Sequence, residues 1–404
     1  MGQNLEDALK ITRRAALFGG AGLGLAACAT PTRGPAVPIA RTRDAKVLGL
    51  PNERFFFPFD GDAFRVEVAA AQERGLRLLS SRPRGPERTI ELLAISGGGE
   101  NGAFGAGLLN GWTEAGNRPT FSLVTGVSTG ALTAPFAFLG PRYDAALKSV
   151  YTDLTPKDVL EQRYLLNAAL FEDALADSAP LFRLISRYLT EEMLADIARA
   201  YERGRLLLIG TSDIDAQLPV AWNIGAIAAS GHPKALDLVR RLLLASAAIP
   251  GAFPPVMIDV MLDGNAYQEM HVDGGAFTQV FLYPRGATRD RRAHIRQGDH
   301  VRPTRAYIIR NGRLMPNPAR TERQTFVIAQ RAIASMISAS GFNDVGRIRN
   351  TTREDNVDFN LAAIGPDFPD EPKEPFEQAF MRKLYDHAYA QARVGYPWMK
   401  DVPY

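Results

Sequence analysis

Strands that alternate with helices predict an α/β protein: a three-layer α/β/α arrangement with a largely parallel central sheet and a mostly helical C-terminal region. Three observations carry this. Short apolar runs recur at residues 89–95, 121–125, 205–211 and 305–310. Between them lie segments with apolar residues at helical spacing. The chain of 404 residues is 46% hydrophobic, enough for a sizeable core, and its 23% charged residues match the average of soluble globular proteins. Regular alternation of strand and helix puts parallel strands in one sheet with helices on both faces.

The first element is a targeting segment. Arg13 and Arg14 precede the uncharged run 15–27, which ends in Leu25-Ala26-Ala27-Cys28. A membrane-spanning helix needs about 20 apolar residues, so this shorter run reads as the core of a signal peptide at residues 1–27. Its end resembles a bacterial lipobox, which implies cleavage before Cys28 and a diacylglycerol on its thiol. Thr12-Arg13-Arg14 resembles a twin-arginine export signal; an ordinary secretory signal is the alternative. The expected location is the bacterial cell envelope, anchored at the inner or outer membrane and facing the periplasm. Cys28 is the only cysteine, so no internal disulfide framework and no Cys-based metal cluster can form. Residues 28–86 read as attachment site, a Pro- and Arg-rich tether over 30–43, and an N-terminal extension. Phe55-Phe56-Phe57-Pro58-Phe59 in that extension reads as packing against the main domain, with membrane contact as the other reading. A loop is expected over residues 82–88.

The main domain is expected at residues 87–290, with residues 291–404 completing it. Residues 89–95 form a buried strand, 104–112 a helix, 121–125 a strand and 131–139 a helix. Leu181, Leu184, Ile185, Tyr188 and Leu189 recur at helical spacing, which predicts one long amphipathic helix over 180–201. Strands follow at 205–211 and 219–224, then a helix at 233–247 opened by Pro233. Asp263-Gly264-Asn265 marks a tight turn between two strands. Asp213 and Asp215 are expected to cap turns near a strand end. The C-terminal region reads as strand 305–310, helix 321–340, strand 357–364 and helix 375–392, with Trp398 packing the last helix. Formal net charge is +3 without like-charge blocks, which leaves no electrostatic footprint for nucleic acid.

Three motifs carry chemistry. Gly126-Val127-Ser128-Thr129-Gly130 sits where a strand turns into a helix, a geometry that exposes the serine oxygen while Gly126 and Gly130 leave room for a sharp elbow. Ser96-Gly97-Gly98-Gly99-Glu100-Asn101-Gly102 joins the first strand to the first helix. Backbone N–H groups of such a loop can hold the oxyanion of acyl transfer. The same glycines match a dinucleotide fingerprint, but the following strand ends in Val124-Thr125-Gly126 and supplies no carboxylate for a ribose. A turn that lets helix and strand pack closely is the plain structural reading. His271-Val272-Asp273-Gly274-Gly275 closes a strand, where a carboxylate can act as the base that a serine needs. Alone it reads as a turn aspartate.

Taken in order, Gly-Gly-Gly-x-x-Gly, Gly-x-Ser-x-Gly and a distant Asp-Gly-Gly make the chain resemble the patatin-like phospholipase family. Residues 245–255 (Ala-Ser-Ala-Ala-Ile-Pro-Gly-Ala-Phe-Pro-Pro) and Gly210-Thr211-Ser212-Asp213 support it, so the likeness spans roughly residues 90–290. The resemblance implies a patatin-like fold and a Ser–Asp dyad: Ser128 as nucleophile, Asp273 as base, Gly97, Gly98 and Gly99 as oxyanion hole. It implies fatty-acyl ester lipids as substrates, cleaved in phospholipase A or lysophospholipase fashion without metal or cofactor. Many members carry Arg or Lys where this chain has Asn101, so an anion contact is lost here.

Two other readings stay open. A Ser–acid–His triad would draw on His294, His300 or His387, all in polar surroundings, or on His271, for which a structural role is expected. A catalytically inactive, lipid-anchored binding protein is the second. A carboxylate base predicts activity persisting well below pH 6, whereas a histidine base loses it near about 6.5. Oligomeric state is not legible.

Overall fold

The computed structural model describes residues 33–57, 59–79, 87–159, 161–162, 176–315, 318 and 320–403. The expected signal peptide at residues 1–27, Cys28 and most of the loop expected over 82–88 lie outside the described residues. Nine strands build one sheet: β1 Arg54–Phe56, β2 Ile90–Ile95, β3 Leu123–Val127, β4 Leu206–Asp213, β5 Leu218–Asn223, β6 Val256–Leu262, β7 Asn265–Asp273, β8 Thr304–Arg310 and β9 Asp358–Ala363. The principal helices are α1 Gly61–Leu79, α2 Gly102–Glu114, α3 Thr129–Leu139, α4 Asp144–Thr152, α5 Ala179–Tyr188, α6 Glu191–Glu202, α7 Ala235–Ala247, α8 Arg289–Gln297, α9 Thr325–Glu354 and α10 Gln378–Arg393.

The five central strands run parallel in the order β4-β3-β2-β8-β9. Period-two alternation gives these strands two apolar faces. Leu93 and Ile95 of β2 point into one core with Phe104, Leu108, Leu242 and Leu384 of α2, α7 and α10. Leu92 and Ala94 point into the other with Phe64 of α1 and Val345 and Ile348 of α9. Each fully buried Leu or Ile contributes about 1.5–3 kcal/mol. This is the expected three-layer arrangement. Residues 291–404 supply two strands as well as helices, and β8 lies between β2 and β9 in the middle of the sheet.

The antiparallel part sits at one edge. β5 pairs with β4, and β1 pairs with β5, so Phe55 and Phe56 are buried as packing residues. β6 and β7 form a hairpin over Asp263 and Gly264, whose φ values of 49° and 81° suit the predicted tight turn. Asp213 caps the β4–β5 turn, its Oδ1 accepting from the N–H groups of Asp215 at 3.0 Å and Ala216 at 3.2 Å. Trp398 packs tilted against Trp112 and edge-on to Tyr307, at 4.9 and 5.0 Å between ring centres.

Two helix expectations are corrected. The helix expected over 180–201 is two, α5 and α6. Thr190 caps α6 by accepting from the Met193 N–H at 3.2 Å, and Arg240 donates to the Leu189 carbonyl at 2.8 Å, so the break is capped on both sides. Conversely α9 runs on past Ser340 to Glu354, because Gly341 is a packing position rather than a stop: a Cβ there would lie 2.6 Å from Arg310 Nη2.

A buried charged network ties the N-terminal extension to the β6–β7 hairpin. Arg54 of β1 donates to both carboxylate oxygens of Glu269 and to the Ala45 carbonyl at 2.9 Å. His271 adds Nε2 to Glu269 at 3.1 Å and Nδ1 to the Thr211 hydroxyl at 3.0 Å. Burial alone would raise the Glu269 carboxyl, but Arg54 and His271 outweigh it and hold it down at about 2. Removing the cation strands a buried carboxylate. Arg54→Met is therefore expected to cost about 3–5 kcal/mol in chemical denaturation, and the Arg54→Met/Glu269→Leu double variant to recover most of that. Equal losses in both would show that the pair matters only through packing.

Candidate active site

Ser128 and Asp273 meet because of how β4 changes partners. β3 ends at Val127, paired with Gly210 of β4. One residue on, Thr211 pairs with Asp273, the last residue of β7, running the opposite way. The ladder thus passes from β3 to β7 between adjacent residues of β4. The residue leaving β3 and the residue ending β7 are forced side by side. The Ser128 hydroxyl faces the Asp273 carboxylate there, close enough to favour its charged form.

Ser128 has φ 55°, in the left-handed region that a serine adopts only at local cost. Its neighbours leave no alternative. A Cβ on Gly126 would lie 2.3 Å from the Gly130 carbonyl oxygen, and one on Gly130 would lie 2.3 Å from that of Ile95. The Ser128 N–H donates to Ser246 Oγ at 3.0 Å, and the Ser246 hydroxyl donates to the Gly210 carbonyl at 2.6 Å. Two residues later the Ala248 carbonyl accepts from the Asp273 N–H at 2.8 Å. The end of α7 therefore braces both partners. Tyr151 anchors the first turn of α3 through Thr129 Oγ1 at 2.6 Å.

The glycine loop closes over the same point. Gly97 comes within contact of Ser128, since a Cβ there would lie 3.1 Å from Ser128 Cβ. Its N–H, however, donates to the Gln279 carbonyl at 3.0 Å. Gly98 and Gly99 open the helical turn Gly99–Asn101, and their N–H groups have no partner among the described residues. Gly98 cannot carry a side chain, because a Cβ would lie 2.0 Å from the Asn311 carbonyl oxygen. Asn311 clamps the loop: its N–H donates to Ser96 Oγ at 2.8 Å, its Nδ2 to the Ser96 carbonyl at 2.9 Å, and its Oδ1 accepts from Gly105 N–H at 3.1 Å. Arg310 approaches the loop from behind, with Nη1 at 3.3 Å from Ser96 Oγ and 3.4 Å from the Gly97 carbonyl.

Asp273 is buried. Its carboxyl is pushed up to about 6 by that burial, against the Ser128 hydroxyl and the Gly275 N–H at 2.7 Å, which favour the charged form. This overturns the expectation of activity persisting well below pH 6. Desolvation moves Asp273 into the range of a histidine, so the acid limb of a rate profile no longer tells the two bases apart. Geometry does. His271 is engaged with Glu269 and Thr211, His232 with Lys234, His294 with Asp299, His300 with Glu87 and His387 with Asp367.

Ser128 opens into a small apolar cavity of 50 Å³, whose walls include Leu132, Leu154, Leu181, Leu184 and Phe253. A second apolar cavity of 30 Å³ lies behind it, sharing Leu132, Val150 and Leu184. A larger space of 790 Å³ lies on the other side of the sheet, and neither Ser128 nor Asp273 lines it. Asp213, Glu269 and His271 bring metal-ligand atoms within 4.8 Å of one another, but Arg54 already supplies the cation to Glu269. The sequence did not point to Gln279, Arg310 or Asn311, which brace the site from distant segments, nor to Asp344, which accepts from the Gln279 N–H at 2.6 Å; Ser246 lies in the stretch 245–255 but its role was not legible.

Residues 93–283 match the sequence model of the family described as Patatin-like phospholipase. No curated protein matches the chain. Among solved structures the chain is similar to VipD from Legionella pneumophila, at 12% identity, covering 80% of this chain and 73% of that one with a TM-score of 0.38.

The raised Asp273 carboxyl sets two pH effects. Its folded-state value lies above the ordinary 3.8, so its contribution to stability is full below 3.8 and is lost as pH rises through about 6. Asp273→Asn, which removes the charge, is therefore expected to raise stability at pH 7.5 by on the order of 1–3 kcal/mol, a gain that shrinks toward zero near pH 4. Thermal denaturation across pH checks this, and a gain constant with pH would contradict it.

Proposed function

We propose, for a chain that carries a patatin-like phospholipase domain at residues 93–283, that it is a serine acyl hydrolase of lipid carboxyl esters, of the phospholipase A or lysophospholipase type. The observation that carries this reading is the placing of the Ser128 hydroxyl, just past the end of β3, against the buried Asp273 carboxylate at the end of β7. The five histidines are all engaged elsewhere, which supports a dyad over a triad.

The chemistry follows from the geometry. Asp273 takes the Ser128 proton as Oγ attacks the ester carbonyl carbon. The oxyanion falls to the free N–H groups of Gly98 and Gly99; Gly97, whose N–H is occupied, contributes closeness rather than a donor. Each such donor is worth a factor of about 100–1000 in rate. Collapse breaks the ester C–O bond, and Asp273 returns the proton to the leaving alcohol. Water then gives a proton to Asp273 and attacks the acyl-enzyme; release of the fatty acid returns the proton to Ser128. The apolar walls beside Ser128 suit the acyl side of an ester. No residue in this cycle requires a metal or cofactor. For a lipid substrate, anchoring at a membrane through Cys28 would bring enzyme and substrate together, with export through residues 1–27.

The test is covalent labelling by a fluorophosphonate, read by intact mass on the full-length chain in detergent. Wild type is expected to gain one label, Ser128→Ala none, and Asp273→Asn to label about 100-fold more slowly or worse. A folded wild type that takes no label would favour an inactive binding protein. Separately, Cys28→Ala is expected to change the protein's mature mass and its membrane association; if both stay unchanged, the lipoprotein reading is removed.

A further inference from the structure

Glu100 lies in the wall of the cavity that Ser128 opens into, at the first turn after the glycine loop. The rest of that wall is apolar apart from Ser128, Thr129 and Tyr151. The hydroxyls of Thr129 and Tyr151 are bonded to each other, at 2.6 Å. Glu100 is half-buried; its own backbone N–H favours its charged form, but it finds no cation or ion pair among the described residues. The charge it senses is a second carboxylate, Glu371, itself within 3.2 Å of Arg313. Arg310, the buried cation nearest the loop, is turned away behind it onto Ser96 and Gly97. A lone carboxylate in an apolar wall interacts with incoming charge through little intervening water, so its field is strong there.

We infer that Glu100 is a charge-selecting residue of this site: it excludes ligands that bring an anionic group next to Ser128 and admits neutral ones. The inference rests on the reading of this cavity as the acyl-ester site. Selection of this kind works by repulsion, since an anion placed beside Glu100 would meet a like charge, and no Lys or Arg lines the cavity to offset it. Burial pushes the Glu100 carboxyl up, with Glu371 adding to the shift, so the comparison is made at pH 8 rather than at lower pH, to favour the carboxylate.

The experiment compares two non-hydrolysable amphiphiles with the same chain, dodecyl glyceryl ether and dodecyl phosphate, both below their micellar concentrations. Binding to the full chain carrying Ser128→Ala is measured by calorimetry, with and without Glu100→Gln. The expected result is a preference for the neutral ligand of about tenfold or more that falls to within about threefold in Glu100→Gln. A structural role for Glu100 would weaken both ligands together and leave their ratio in place. An unchanged ratio, a wild-type preference for the phosphate, or no binding of either amphiphile overturns the inference. Turnover of the corresponding esters by the Ser128 protein is read separately. A ratio that responds without any turnover keeps the selection and discards the hydrolase, and turnover with an unresponsive ratio does the reverse.

Discussion

The site depends on one constraint, the change of partner along β4. Backbone N–H and C=O groups at a strand edge must be paired, and β3 leaves them exposed from Thr211 onward. β7 takes them up. Because that exchange falls between two consecutive residues, the geometry of Ser128 and Asp273 is fixed by main-chain hydrogen bonding rather than by side-chain reach. The braces then follow. The end of α7 holds both residues through Ser246 and Ala248, and the glycine loop settles into the space that Gly97 and Gly98 keep open.

The same arrangement explains where the molecule tolerates unfavourable terms. A serine at positive φ and a carboxyl raised by burial are each costly, and both lie at the partner exchange. They persist because the surrounding parallel sheet, with its two apolar cores, over-determines that corner. The Arg54–Glu269–His271 network lies two residues from Asp273 on the same strand face. It makes the N-terminal extension part of the wall that holds β7 in register.

Much of this was legible in the sequence because it has a local signature. A serine between Gly126 and Gly130 announces an elbow, and a glycine run at a helix start announces free N–H groups. Thr190 followed by Glu191 and Glu192 is also a readable helix start, yet the continuous apolar spacing across it pointed to a single helix. Gly341 carried the opposite lesson: a glycine that looks like a stop serves a neighbour, Arg310, that spacing cannot reveal. Burial was the least visible property. Nothing adjacent to Asp273 in the chain says that its carboxyl is desolvated, so its titration range was misjudged. Asn311 and Gln279 reach the loop from positions far along the chain, with Asp344 holding Gln279 in turn, and only tertiary structure brings them there.

The position of β8 bears on how the chain can be made. β2 is translated early, but its partner β8 follows more than two hundred residues later and carries Arg310, with Asn311 just beyond it. Until then β2 has an open edge, and the glycine loop lacks its clamp. Vectorial synthesis therefore yields an incomplete central sheet until near the end, and the nascent chain must be kept from pairing that edge wrongly. The stretch 93–283 that carries the family likeness is, by this logic, not a unit of folding. A chain cut at its end would expose β2 and release the loop over Ser128.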